Sequence, residues 1–131
     1  MSRDLLVVTA VDAEADAVRA GLGGRNGVTV AAGGGGPAAA AAGPARRRAL
    51  AEGTARPYRA VLSAGIGGGI PGRAALGAIV LGTRSIAADL GAQTADGFIS
   101  LDVLGFGDTV LAADPTLLAA LRRALPEAVV G

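Results

Sequence analysis

The sequence predicts an α/β fold, in which strands and helices alternate along the chain. Short apolar runs rich in Val, Leu and Ile are each followed by a turn marked by glycine or acid and then by a segment with helical spacing. Hydrophobic residues make up 51% of the chain, but only one Tyr and two Phe are aromatic, so the core must consist of closely packed small aliphatic side chains. At 131 residues the chain is about one domain long, and we predict a single domain over 1–131.

The first two elements are a strand and a helix. Residues 5–11, LLVVTAV, form a continuous apolar run rich in β-branched side chains, which is typical of a parallel strand covered on both faces. From Asp12 onward, apolar residues recur at helical spacing up to the glycines of GLGG. We therefore predict a strand over 5–11 and a helix with Asp12 as its N-cap.

The next stretch repeats this scheme. A strand is predicted over 28–32, followed by a glycine loop at 33–36 and an alanine-rich helix. Proline lacks an N–H and restricts the residue before it, so Gly43-Pro44 should end or kink that helix. A third strand over 59–64 then leads into a second glycine cluster.

The last third of the chain is less regular. A fourth strand is predicted from about 78 to 87, and 91–107 is predicted to be a loop apart from a short extended piece at 98–101. Asp114-Pro115 is an N-cap followed by proline at the first helical position, and leucines give that helix an apolar face. The final residues, EAVVG, begin another strand, and because two valines cannot complete a sheet we expect the chain to end inside a domain.

Charge and composition exclude several classes of function. A formal charge of +1 gives no field for a nucleic acid, and the only basic cluster, Arg46 to Arg48, is interpreted as a solvated helix end. The chain has no Cys and no His, and all twelve basic residues are Arg. These absences exclude the usual zinc sites, a thiol nucleophile, a Ser-His-Asp triad and a lysine Schiff base. Carboxylates, hydroxyls and backbone amides remain for catalysis.

The same features indicate where the protein is found. Without cysteine there is no disulfide framework, as in a cytosolic protein. No uninterrupted apolar segment reaches 18 residues, and an acid interrupts the N-terminal region before a signal-peptide core could form. We predict a soluble cytoplasmic protein that binds neither membranes nor nucleic acids.

The two glycine loops are candidates for binding either the phosphates of a dinucleotide or a nucleoside. Residues 34–39, GGGPAA, match the G-x-G-x-x-A form of a dinucleotide fingerprint, but a Rossmann unit places that turn after its first strand. Here the first strand ends in TAVDAE, which disfavours NAD or FAD. As a nucleoside pocket the features are consistent, because glycines let a purine and its ribose lie against backbone while a strand-end carboxylate reaches the sugar.

Hydrolysis of an N-glycosidic bond needs a carboxylate to orient and deprotonate water and an acid to protonate the departing base. Glu14 fits the first role, although a first-turn acid is also favoured by the helix dipole alone. Asp16 is interpreted as a solvated helical residue, and Asp89 as either a turn acid or a substrate contact. Ser63 has no base partner and is interpreted as a strand-end residue.

Four segments carry a resemblance to a known family: TAVDAEADAV, GGGGPAAAAA, SAGIGGGIPGRAALGAIVL and AADLGAQTADGFISLDVLGFGD. Over roughly residues 4–125 they resemble the futalosine hydrolases of the nucleoside phosphorylase and methylthioadenosine nucleosidase superfamily. The resemblance implies a three-layer α/β/α fold with a central mixed sheet, assembly as a homo-oligomer, and no metal or organic cofactor. The implied reaction converts futalosine to hypoxanthine and dehypoxanthine futalosine in menaquinone biosynthesis.

The resemblance also implies roles for individual residues. The water-activating glutamate falls on Glu14, and Phe106 is expected to form an apolar wall. The expected substrate-binding positions are two glycine-containing segments: Gly34, Gly35, Gly36, Ala64, Gly65, Ile66, Gly67 and Gly68. Phosphorylase relatives carry a phosphate-binding arginine where this chain has Ser63, so water is expected as the nucleophile.

The family's leaving-group acid and its ribose-binding segment would lie beyond Gly131. A positioned acid contributes about 10²–10⁴-fold, so the 131-residue chain, expected to be C-terminally truncated, should be nearly inactive by itself. Two other functions stay open. One is a nucleosidase for methylthioadenosine or adenosylhomocysteine, and the other is a non-catalytic module that binds purine nucleosides.

Overall fold

The chain folds into two compact units, residues 1–68 and 69–131. The computed structural model describes residues 5–53 and 57–131. Strands and helices alternate in the first unit, which confirms the α/β class. Its elements are β1 (Leu5–Thr9), α1 (Asp12–Leu22), β2 (Val28–Ala32), α2 (Pro37–Glu52) and β3 (Ala60–Ser63).

The first unit is built on a three-stranded parallel sheet in the order β2-β1-β3. The central strand β1 is the most apolar, and its Leu6 is completely buried. Leu6, Val8 and Ala31 form the core, against which Tyr58 packs. The continuous apolar run of β1 thus forms a central parallel strand, as the sequence predicts, since such a strand needs apolar side chains on both faces.

Strand β1 ends two residues earlier than predicted, and α1 begins one residue earlier. Val11, in extended conformation, is the N-cap, so the prediction of Asp12 in that role is wrong. The backbone N–H groups of Ala10 and Val11 donate to the Glu14 carboxylate, 2.9 and 3.2 Å away, rather than to a neighbouring strand. Glu14 therefore supplies one half of a capping box, while the valine side chain offers no acceptor for the other half. The helix ends at Leu22 and is capped by Gly23, which has a left-handed φ of 56°.

The second helix, α2, continues through Gly43-Pro44, so the helix does not end there; a kink at this position stays a prediction. Part of the penalty at such a site comes from a clash between the proline ring and the preceding Cβ, and Gly43 has none. The helix lies close to the first glycine loop here, since a Cβ at position 43 would be in van der Waals contact with the Cα of Gly33, 3.4 Å away. The helix starts with Pro37 at its first turn, where a missing N–H costs nothing.

The second unit contains short strands in pairs, which are listed with its helix: β4 (Val80–Leu81), β5 (Arg84–Ile86), β6 (Gly91–Thr94), β7 (Gly97–Ser100), β8 (Val110–Ala112), α3 (Pro115–Ala124) and β9 (Val129–Val130). The pair β4-β9 is parallel, while β5-β8 and β6-β7 are antiparallel. Within 5–53 and 57–131 the strands thus form one three-stranded and three two-stranded sheets. A single central mixed sheet stays a prediction, as does the single domain.

Two predictions for the second unit need correction. The fourth strand is interrupted at Gly82 and Thr83, because the backbone of Thr83 pairs with two different segments. Its N–H donates to the Gly131 carbonyl at 2.6 Å, and its carbonyl accepts from the Ala113 N–H at 2.9 Å. The predicted loop over 91–107 contains the β6-β7 hairpin, of which only the second strand was expected as an extended piece.

Other expectations for this unit are met. Helix α3 begins as predicted, with the Leu117 N–H donating to the Asp114 carboxylate at 2.9 Å. The last residues form the short strand β9, as expected from EAVVG. Strand β8 has no counterpart in the sequence-based prediction.

Candidate functional site

The candidate site lies at the carboxyl edge of the parallel sheet, where β1, β2 and β3 all end. Backbone hydrogen bonds attach both glycine loops to the end of β1. On one side, Gly33 donates to the Thr9 carbonyl at 2.8 Å and Gly34 to the Ala10 carbonyl at 3.0 Å. On the other side, Ala64 donates to the Val8 carbonyl at 2.9 Å. Ligands of open α/β sheets bind at this edge, so the topology alone makes it the first place to look for a site.

The carboxylate of Glu14 joins the turn between β1 and α1 to the second of these glycine loops. Oε2 accepts the N–H groups of Ala10 and Val11, at the start of its own helix. Oε1 accepts the N–H of Ile66 at 2.9 Å, from the loop that follows β3. The two residues are 52 positions apart in the chain, so this bond is a tertiary contact that connects the first strand-to-helix turn with the second glycine cluster.

These donors determine the charge state of the carboxylate. The N–H groups of Ile66 and then Val11 lower the pKa of Glu14 from its ordinary value, desolvation opposes them, and Ala10 adds a smaller lowering effect. Among the described residues, no ion pair involves Glu14. Each carboxylate oxygen has two lone pairs, so Oε1, which accepts one N–H, can still accept a hydrogen from a water molecule. The arrangement is an ionised, half-buried carboxylate with one acceptor position to spare.

Gly65 allows this approach. A Cβ at position 65 would lie 2.8 Å from Oε1 of Glu14 and 3.2 Å from its Cδ, closer than side-chain carbons normally come. The neighbouring Gly67 and Gly68 differ, because a Cβ on either would meet only open space. Of these three glycines, position 65 is therefore the one where an added side chain would meet the carboxylate.

The first glycine loop, 33–36, has its own backbone requirement. Gly34 and Gly36 have φ values of 100° and 87°, which side-chain-bearing residues rarely adopt. Gly36 is also the N-cap of α2. Gly35 has neither constraint, and a Cβ there would meet nothing within 4 Å. The loop thus exposes backbone next to the start of a helix, a surface that a flat polar ligand could approach.

The predicted site residues fall into three groups. Gly65 and Ile66 contact the Glu14 carboxylate directly. Ala64 and Gly34 form backbone hydrogen bonds to the end of β1 and the residue that follows it. Four others continue the two loops without a hydrogen bond to Glu14 in the described part of the chain: Gly35, Gly36, Gly67 and Gly68. Phe106 lies in the second unit with a largely exposed ring.

The remaining polar candidates, Asp16, Asp89 and Ser63, form no hydrogen bond to Glu14 in the described part of the chain. Asp16 forms an exposed ion pair with Arg19 at 2.6 Å, as expected of a solvated helical residue. Asp89 lies in an exposed turn, and Ser63 is the last residue of β3, as predicted. The sequence-based prediction did not include the amides of Ala10 and Val11; a glutamate three residues into a helix is the signal that could have found them.

Neither a membrane-spanning helix nor a metal-binding cluster of side chains occurs in the described part of the chain. Over 5–53 and 57–131, no helix is long and apolar enough to span a membrane. In the same residues, no group of three or more acidic side chains is placed to hold a metal ion.

Sequence comparison connects the chain to two curated relatives, both named futalosine hydrolase. The protein from Acidothermus cellulolyticus is 42% identical over 129 residues, which cover 90% of this chain and 51% of the relative. The protein from Streptomyces coelicolor is 52% identical over 73 residues, or 56% of this chain and 29% of the relative. These identities confirm the resemblance to the futalosine hydrolases. The chain spans at most about half the length of the relatives it matches.

No protein-family model matches the chain. No solved structure matches it significantly.

Proposed function

We propose that this chain carries the water-handling part of an N-ribosylhydrolase site that cleaves futalosine and releases hypoxanthine. The observation that carries the proposal is the Glu14 carboxylate, held by three backbone N–H groups at the carboxyl edge of the parallel sheet. The two relatives reported above are named futalosine hydrolase, and the proposed substrate is taken from that name. Because the chain spans at most about half the length of each relative, the activity of the whole protein is part of the proposal.

The proposed reaction breaks the bond between the ribose C1′ and the purine nitrogen. The bonding electron pair leaves with the base, and the sugar passes through an oxocarbenium-like state. Water then forms the new C–O bond to C1′ while one of its protons goes to Glu14. A strongly electrophilic sugar needs its water oriented more than fully deprotonated, so a carboxylate with a lowered pKa suits this step. Fixed N–H donors also prevent the carboxylate from having to reorganise during the reaction.

The other predicted site residues have binding roles in this proposal. The base and ribose lie against the backbone of the two glycine loops, 34–36 and 64–68, and Phe106 provides an apolar wall. Protonation of the departing base is assigned to an acid outside residues 1–131. The three-layer fold with a central mixed sheet and the homo-oligomer belong to the same proposal.

A panel of nucleosides tests the substrate. The chain is incubated at high concentration with futalosine, methylthioadenosine, adenosylhomocysteine and inosine, and released bases are measured by chromatography. We expect hypoxanthine from futalosine, about 10²–10⁴-fold more slowly than from the Acidothermus cellulolyticus enzyme assayed alongside. Adenine from either of the adenosine compounds would instead identify a nucleosidase of the methylthioadenosine type.

A binding measurement completes this test. Saturable binding of futalosine or inosine without release of any base, even when the part of the relatives that this chain does not span is supplied, would contradict the hydrolase proposal. That result would identify the chain as a purine-nucleoside binding module.

A further inference from the structure

The bond between Glu14 and the loop after β3 is more than helix capping. For capping, the two N–H groups at the start of α1 need an acceptor, and Oε2 of Glu14 supplies it to both. The Ile66 N–H belongs to a distant segment, and it bonds to the other oxygen, Oε1. Helix α1 gains nothing from this third bond, so a role in the position of the carboxylate explains it better.

The third bond fixes a degree of freedom that the first two leave open. A carboxylate anchored through Oε2 alone can swing about that oxygen and carry Oε1 along an arc. Because the Ile66 N–H donates to the other oxygen, Oε1, both oxygens are held and the direction of the remaining lone pair on Oε1 is set. A water molecule that donates a hydrogen bond to that lone pair would therefore be oriented by the Ile66 contact.

From this geometry we infer that Gly65 is a positioning residue for Glu14: its missing side chain lets the second glycine loop close on Oε1. The functional part of this inference rests on the proposed role of Glu14 in hydrolysis. A Cβ at 65 would lie 2.8 Å from Oε1, so even alanine must displace either the loop or the carboxylate. Displacement by about 1 Å can cost roughly 100-fold in rate when a reacting group must be aligned.

The chain offers a closely matched control. Gly67 lies two residues further in the same loop, where an added Cβ would have nothing within 4 Å and where φ lies outside the left-handed region. Gly65→Ala and Gly67→Ala thus make the same chemical change in one loop, and differ in whether the new methyl group meets Glu14.

Nuclear magnetic resonance on the full chain gives a readout that a merely structural role would not move. The carboxyl ¹³C shift of Glu14 and the amide ¹H shift of Ile66 are followed as a function of pH. In the unsubstituted chain we expect the Ile66 amide to titrate together with Glu14, at a pKa below the ordinary glutamate value. Gly65→Ala should raise that pKa and uncouple the Ile66 amide, while Gly67→Ala should leave the Glu14 pKa and the response of the Ile66 amide unchanged.

Hypoxanthine release should fall about 10- to 100-fold in Gly65→Ala.

Two results would overturn the inference. One is an Ile66 amide in the unsubstituted chain that does not follow the Glu14 titration, a measurement that holds even where Gly65→Ala fails to fold. The other is a folded Gly65→Ala chain whose Glu14 pKa is unchanged. Failure of the hydrolase proposal looks different: the titrations behave as described, while Glu14→Gln leaves hypoxanthine release unaffected.

Discussion

The two units of the chain use their apolar residues in different ways. In the first unit, β1 lies between two parallel strands, and its side chains from Leu6 to Thr9 are buried. In the second unit, strands occur only in pairs, and Leu81 is the single hydrophobic residue buried among those described. A strand with a neighbour on each side is held in register from both edges, whereas a two-stranded ladder is marginal by itself. The candidate catalytic carboxylate lies at the end of the well-supported strand.

The largest difference in stability between the two units is expected from a substitution at Leu6, in the first unit. Replacement by alanine removes a completely buried side chain from the centre of the parallel sheet. We expect the free energy of unfolding to fall by about 2–5 kcal/mol, because the transfer free energy is lost and a cavity remains. Leu76→Ala in the second unit is the matched control, since Leu76 is fully exposed and its loss should change stability by less than about 0.5 kcal/mol.

Urea denaturation followed by circular dichroism measures both variants. A similar loss of unfolding free energy in both variants would contradict this difference between the units, because it would show that Leu76 is covered in solution.

A smaller effect is expected from Gly91, in the β6-β7 hairpin. A Cβ at this position would overlap the Ile99 carbonyl oxygen and come within 2.5 Å of the Phe98 ring. We expect Gly91→Ala to destabilise the hairpin by about 1–3 kcal/mol through overpacking. Gly82→Ala is the control, because its Cβ would make only an ordinary contact, 3.9 Å from the Arg84 carbonyl. Hydrogen exchange of the β6 and β7 amides reports the change, and equal protection in the two variants would contradict the packing described for Gly91.

The same difference between units decides how much of the fold could be predicted. Strands β1, β2 and β3 are marked by apolar runs, since buried parallel strands need them, and they were predicted within two residues at each end. The hairpin at 91–100 was mostly missed because alanine, glutamine and threonine in β6 carry no apolar pattern. Its Asp96-Gly97 turn was the available signal, and Gly97 does adopt a positive φ of 127°.

For the site, the sequence led to Glu14 and the two glycine loops but not to the contacts that join them. Nothing local to Ile66 marks its N–H as a donor to a carboxylate 52 residues earlier, because that bond depends on β1 and β3 being neighbours in the sheet. The choice of Asp12 as N-cap failed for a related reason. Residue type favours aspartate at such a position, but the Glu14 carboxylate already serves the N–H groups of the preceding turn.

The most direct test of the account is hypoxanthine release from futalosine by the chain carrying Glu14→Gln, measured beside Asp12→Asn. Both variants remove one negative charge from the first turn of α1, but only Glu14 contacts the loop after β3. We predict that release falls at least about 100-fold in Glu14→Gln and stays close to that of the unsubstituted chain in Asp12→Asn. Near-normal release by a folded Glu14→Gln chain would contradict the assignment of Glu14 as the residue that handles water.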